Sequence, residues 1–301
     1  MNCIDKVVVT GYSQNRYIIM ILELTDESNY VCKKIFYFTD MEKIATHSIL
    51  NEGNIVYLAD SFNNKVHKFD FNLNHYEETT VGRDPRHMCV NNENIYVTNF
   101  ESDNISAIDI ETFTLTGSIP AGIKPHDITF CKKTNNLYIS CYEENQILEY
   151  NLIDGNKKYY KTDGKPMHIF VDDNNIIAMT YFVNGSIYTK INFININTQK
   201  IEDVIKIKGL ASEMELDFEN KLLYVINIDD KSLYIIDFYK RNILKKIFIG
   251  GYPESLSFGS NNIYVTNSKK NQITIIDIAT FSTVKNIELE FSPVCIKVIK
   301  C

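Results

Sequence analysis

The hexapeptide Asn-Ile-Tyr-Val-Thr-Asn occurs twice in this chain, at residues 94–99 and 262–267, 168 residues apart. Weaker copies surround the pair: VVVTG at 7–11, VYLAD at 56–60, LYISC at 137–141, IIAMT at 176–180 and LYVIN at 223–227. The second residues of the seven copies are Val8, Tyr57, Tyr96, Tyr138, Ile177, Tyr224 and Tyr264, separated by steps of 49, 39, 42, 39, 47 and 40. A recurrent spacing in this range marks a repeat architecture, whose units bury their apolar faces against one another.

Each copy is followed by a second short run rich in β-branched and aromatic residues, such as VHKFDF at 66, ISAIDI at 105, LYIIDF at 233 and ITIIDI at 273. Bounded by Asn, Asp, Gly and Lys, these runs predict strands. The Asp near their ends (Asp70, Asp109, Asp237, Asp277) suits an Asx-type turn into the next strand. A third run follows, for example TLTGSI at 114, and then a Pro-led segment opens a fourth: GRDPRHMCV, GIKPHDITF, GKPMHIFV, GYPESLSF and FSPVCIKV. Pro is tolerated at a strand's first residue, where no ladder donor is needed. Four strands per unit of about 40 residues make the blade of a β-propeller.

With strands numbered within a blade from its Pro-led strand, the chain opens on a second strand, KVVVTG, and finishes on a first strand, SPVCIKVIK. The expectation is an all-β, seven-bladed propeller in which the C-terminal strand completes the N-terminal blade, with residues 1–301 forming one domain. Closure of that kind removes the open edges that invite strand pairing between molecules. The pattern IYVTN, N-x-I-x-x-I-D and GxxPxxI resembles the YVTN family of β-propeller repeats along essentially the whole chain. That resemblance implies a platform for a ligand or partner, often outside the cytoplasm. The absence of Trp excludes a normal WD repeat, and the single Gly-Gly pair, Gly250–Gly251, argues against kelch.

Composition narrows the partners. A formal charge of -7 disfavours a nucleic-acid surface, which needs clustered Lys and Arg. The best basic cluster, Lys240, Arg241, Lys245 and Lys246, is expected on a solvated hairpin. Seven Cys without a CxxC pair suit a reducing compartment. No membrane span is expected, since no 18 residues are continuously apolar, and the N-terminus lacks a secretory pattern. The expected location is cytoplasmic.

Strand alternation locates the chemistry. Counting from each Pro or its equivalent, the third and fifth residues are apolar and should pack between blades. The second residues then face the other way: His47, His87, Asp127, His168, Glu215, Ser255 and Cys295, with a one-residue shift needed to place Glu215. The first residues, at the rim, are Thr46, Arg86, His126, Met167, Met214, Glu254 and Val294. Four of the six His fall in these fourteen slots, where random scatter would give roughly 0.3. The bland alternative is a wet ring of structurally hydrogen-bonded polar groups. The sharp one is a ligand or divalent-metal site, with His87, Asp127 and His168 as the ligand trio and Glu215 and Cys295 as further candidates. Arg86 would hold an anionic group, and His47, His126 and Glu254 would line the mouth.

The step of 47 contains an insertion, MTYFVNGSIYTKIN, in which Asn184–Gly185 predicts a type I′ hairpin. Tyr181, Phe182 and Tyr188 on it could wall the opening or pack on one another. Two functions follow. The first is a binding propeller that recognises a small molecule, peptide or protein at its top face. The alternative is a metal-dependent lyase or lactone hydrolase. Virginiamycin B lyase and phosphogluconolactonase-type enzymes share the seven-bladed architecture, which does not carry function with it. The resemblance to that lyase implies a His/Glu/His cluster from late blades, and no His follows His168 here. An enzyme on this scaffold would have to use the earlier histidines.

Overall fold

The computed structural model of the chain describes residues 5–14, 16–25, 29–38, 44–70, 75–172 and 174–299. The turn after Asp70 and the residues Cys3 and Cys301 lie outside the described residues. The fold is all-β: seven four-stranded sheets form the blades of a seven-bladed β-propeller. Blade 1 is completed from the far end of the sequence, in the order Ser292–Ile299, Lys6–Ser13, Arg16–Thr25, Asn29–Phe38. Its closing strand pairs antiparallel with the first, Val9 opposite Ile296 and Gly11 opposite Pro293. Ser292–Ile299 thus takes the place held in the other blades by the lead strands Thr46–Glu52, Pro85–Val90, Pro125–Cys131, Lys165–Val171, Ala211–Asp217 and Pro253–Phe258.

The chain clusters into two compact units, residues 1–56 with 211–301, and residues 57–210. Blades 1, 6 and 7 lie in the first unit and blades 3, 4 and 5 in the second, while blade 2 contains the passage between them at residue 56. In each unit the core sits between the faces of consecutive sheets. Tyr96, Ile105 and Ala107 of blade 3 pack with Ile128, Leu137, Ile139 and Leu148 of blade 4. Tyr138, Ile147 and Tyr160 then pack with Ile169, Ile176 and Ala178 of blade 5. In the first unit Tyr224 and Ile235 meet Leu256, Ile263 and Val265, and Tyr264 meets Val7, Val9 and Ile296. The second strands are buried on both faces, which is why they are nearly continuous apolar runs. The fourth strands, such as Leu115–Pro120 and Asn242–Phe248, are edge strands and largely exposed.

The repeated hexapeptide is scaffold, and the polar residues near its end have identifiable tasks. Thr98 Oγ1 accepts from the His87 amide at 3.0 Å and donates to the His126 carbonyl, on the next lead strand, at 2.8 Å. Thr266 does the same for the Ser255 amide at 3.0 Å and the Val294 carbonyl at 3.1 Å. Ser140, at the same place in LYISC, joins the Asp127 amide to the Met167 carbonyl, both at 2.8 Å. In three copies the final residue caps the turn, Asp60, Asn227 and Asn267 accepting amides two or three residues on, whereas Asn99 donates to Asn104 and Ser106. The Asp residues closing the third strands also behave as expected. Asp109, Asp237 and Asp277 accept the amides of Thr112, Lys240 and Thr280.

Candidate functional site

The lead strands are not plain strands. In blades 3, 4, 5 and 7 the pairing slips between the Pro and the third residue after it, at Pro85/Met88, Pro125/Ile128, Pro166/Ile169 and Pro253/Leu256. A bulge bends the strand and re-aims the residues within it. The bulged residues are the first and second positions, so both are displayed. Beyond the bulge Ile128, Ile169 and Leu256 turn into the cores, as the alternation predicted.

In the second unit this backbone brings four of the expected residues together. The rings of His87, His126 and His168 lie 4.9–5.5 Å apart, centroid to centroid, with His168 edge-on to the other two. Asp127 stands against two of them, with Oδ1 3.5 Å from His87 Nδ1 and Oδ2 3.6 Å from His168 Nδ1. Its carboxylate is fixed by backbone donors, the Ile128 amide on Oδ1 at 2.7 Å and the Ile169 amide on Oδ2 at 2.9 Å. His126, Asp127 and His168 are buried, and His87 is partly open. One donor atom from each of His87, Asp127 and His168 can be chosen so that all three lie within 4.8 Å of one another.

The rim beside this cluster holds residues that the lead-strand count did not reveal. The Arg86 guanidinium stacks 3.3 Å from the centroid of Phe100, whose ring is in turn edge-on to His126 at 6.1 Å. Asp84 accepts from Arg86 Nε and Nη2 at 3.2 and 2.9 Å. Phe100 also touches Tyr142, and Lys124 and Lys165 approach Phe100 and Tyr142 respectively. Lys124 and Lys165 are paired with Glu101 and Glu143, so the rim is balanced in charge. A signal for these rings was present: Phe100, Tyr142 and Tyr181 each follow directly on a copy of the hexapeptide.

In blade 6 Ala211 pairs with Asn227 and Met214 with Val225, as Pro85 pairs with Asn99 and Met88 with Val97. The second position is therefore Glu213, and Met214 is a packing residue; the one-residue shift that chose Glu215 misplaced the register. Glu215 instead accepts from Lys297 Nζ at 2.6 Å. The burial run of Thr46–Glu52 matches that of Pro85–Val90, which sets Thr46 in the Pro position and His47 at the rim. Cys295 is buried and donates to the carbonyls of Thr46 and His47, and burial pushes its thiol well above the usual range. It is a poor thiolate ligand in that state.

Glu254 accepts from Ser268 Oγ at 2.6 Å, yet burial raises its carboxyl above the ordinary value. A raised carboxyl gives stability that is present below the unfolded pKa and lost as pH rises through the folded one. Glu254→Gln, which keeps an acceptor for Ser268, should therefore gain in Tm over the parent between acid and neutral pH. A Tm difference that falls over that interval would contradict this assignment.

The insertion forms the hairpin Asn175–Asn184 and Ser186–Asn195. Gly185 alone adopts the left-handed region, at φ 69°, and Asn184 pairs with Ser186, so the turn is not the type I′ predicted from Asn-Gly. Phe182 lies opposite Tyr188 and Tyr181 opposite Thr189. Alternation puts Phe182 and Tyr188 on one face and Tyr181 on the other. Lys190 and Lys206 cover the Phe182 and Tyr188 rings, each at 3.8 Å. Two of the three rings are thus covered by lysines of the same blade. A separate cavity of about 440 Å³ at the opposite strand ends, lined by Asn91, Glu93, Tyr96, Phe130, Lys132 and Leu152, contains none of the expected site residues.

No protein-family model matches the chain, and no curated protein matches it. Solved structures do match its fold. A Lactobacillus plantarum protein is similar at a TM-score of 0.76 and 13% identity, over 99% of this chain and 100% of that one. A Bacteroides fragilis protein provisionally named a 6-phosphogluconolactonase is similar at 0.74 and 16%, over 99% of both chains. A streptogramin B lyase is similar at 0.68 and 17%, over 84% of this chain and 86% of that one. These likenesses concern the fold alone.

Proposed function

We propose that this chain is a binding propeller of the YVTN-repeat type, one domain over residues 1–301, that recognises a small molecule, peptide or protein at the face carrying its Pro-led bulges. The observation that carries this reading is the convergence of His87, His126, His168 and Asp127 from three consecutive lead strands, beside the Arg86–Phe100 stack. Imidazoles offer donors and acceptors near neutral pH, and an aromatic wall with a few fixed polar groups is the usual make-up of a ligand site. The hairpin bearing Tyr181, Phe182 and Tyr188 would extend the recognition surface. A cytoplasmic setting is supported by the free thiols Cys89, Cys131, Cys141 and Cys295. No helix among the described residues is long and apolar enough to cross a membrane.

A thermal-shift panel of carboxylates, sugar phosphates, nucleotides and short peptides tests the proposal. At least one class should raise Tm by a few degrees when present at about a hundred times its Kd, a gain of about 2.7 kcal/mol. His126→Ala and Arg86→Ala should lose that shift. An effect of equal size in both variants would remove the cluster and its rim from the proposal, and a panel without any shift would count against binding of these classes. The second reading, a metal-dependent lyase or lactone hydrolase, draws on the carboxylate set between two imidazoles. Acid release from a lactone panel, lost in His87→Ala, is its test.

A further inference from the structure

The separation between Asp127 and its two histidines has a chemical meaning. An N–H···O hydrogen bond spans roughly 2.7–3.2 Å. The contacts of 3.5 and 3.6 Å from Asp127 to His87 and His168 are longer than that. Each is close to a donor–donor edge around one ion, since bonds of roughly 2.0–2.1 Å, the usual zinc–imidazole and zinc–carboxylate lengths, give a tetrahedral edge of roughly 3.4 Å. Each carboxylate oxygen stands at that separation from one imidazole, and one donor atom from each of the three residues lies within 4.8 Å of the others. Both Nδ1 atoms face the same carboxylate, from rings set at 87° to each other. The carboxylate is already oriented by the Ile128 and Ile169 amides, one on each oxygen. Such outer hydrogen bonds hold a ligand in place before metal arrives. The backbone is held too. The His87 amide and the Asp127 amide are both tied to hydroxyls of the neighbouring second strands, Thr98 and Ser140.

From this geometry we infer that His87, Asp127 and His168 form a binding site for a divalent transition-metal ion of the zinc class. The inference rests on the binding reading above and names the chemistry of its centre. Two imidazoles and one carboxylate suit zinc, cobalt, manganese or ferrous iron, and disfavour calcium and magnesium, which take oxygen donors. Three protein donors leave a position of a tetrahedral ion for an outside Lewis base. The ligand class that follows is a metal-coordinating one: a carboxylate, hydroxamate, phosphate or thiolate. His126, whose ring lies 5.0 Å from that of His87 and 5.5 Å from that of His168, flanks this centre without completing it.

Cobalt(II) alone is the probe. The full-length chain, stripped with chelator, should take up one equivalent and develop the visible absorption of a low-coordinate cobalt site, and zinc should displace it. His87→Ala and His168→Ala should each weaken cobalt binding by about 100-fold or abolish it, and His87→Gln and His168→Gln provide the same test if an alanine variant fails to fold. His75→Ala, on an exposed edge strand, should bind as the parent does. Absence of stoichiometric uptake, or uptake unchanged in the His87 and His168 variants, overturns the inference. The two proposals fail separately. Thermal shifts that persist in chelator without cobalt uptake would sink the metal alone, whereas cobalt uptake without any shift by the compound panel would sink the broader binding reading.

Discussion

Gly11→Val should lower the stability of the folded chain by about 3 kcal/mol or more, read as a fall of several degrees in Tm and a lower urea midpoint. The cause is the way blade 1 is closed. Gly11 pairs with Pro293 at the bulge between the first and last strands of that blade. A Cβ built on Gly11 would lie 2.1 Å from the Ser292 carbonyl oxygen and 2.7 Å from the Phe291 ring. The first of these is backbone, and the second belongs to a ring buried in the core that Val7, Val9 and Ile296 share. Neither can give way without moving the closing strand. In the other copies this position holds Asp60, Asn99, Cys141, Thr180, Asn227 or Asn267. In this blade Phe291 fills the room their side chains would take. Gly117→Ala is the control. A Cβ there meets nothing within 4 Å, and the expected change is within about 1 kcal/mol. A Gly11→Val protein as stable as the parent would mean that the closing strand is not held as described.

The fold was legible because every blade repeats the same solution. Second strands buried on both faces write long apolar runs, their polar fifth and sixth letters tie the lead strand and the turn, and a Pro opens the lead strand without losing a ladder bond. Once seven copies are aligned, the position of the C-terminal strand follows from what the N-terminal blade lacks. The site was legible in part, and the failures share one physical cause. Counting positions from a Pro assumes a regular strand, whereas the lead strand contains a bulge. Where a Pro marks the start, as at Pro85, Pro125 and Pro166, the count survived and brought His87, Asp127 and His168 together. Where Pro is absent the bulge has no marker, and at Ala211 the count reaches Glu215 while the register puts Glu213 in the second position. Phe100 is not reached by counting along the lead strands because it lies in the turn just past Asn94–Asn99, and the tertiary fold stacks it between Arg86 and His126.

The two identical hexapeptides allow one substitution to separate scaffold from site. Thr98 and Thr266 are both fully buried and make equivalent bonds, an amide of their own lead strand and a carbonyl of the next one. Replacing either by Val keeps the shape and removes the hydroxyl. A buried amide then loses its acceptor and a buried carbonyl loses a donor, each costing about 1–3 kcal/mol. Thr98→Val and Thr266→Val should therefore be destabilised to a similar degree, by about 2–4 kcal/mol in urea unfolding. Their effects on cobalt uptake should differ. Thr98 anchors the backbone of His87 and His126, and its loss should weaken cobalt binding by about tenfold, as changes behind a metal ligand commonly do. Thr266 anchors Ser255 and Val294, which contribute no metal donor, and its loss should leave cobalt affinity unchanged. Unequal stability losses would mean that the repeated hexapeptide does not perform the same task in its two settings. Equal cobalt affinities would mean that the position of His87 does not depend on the hydroxyl beneath it, and the preorganisation assigned to Thr98 would fall.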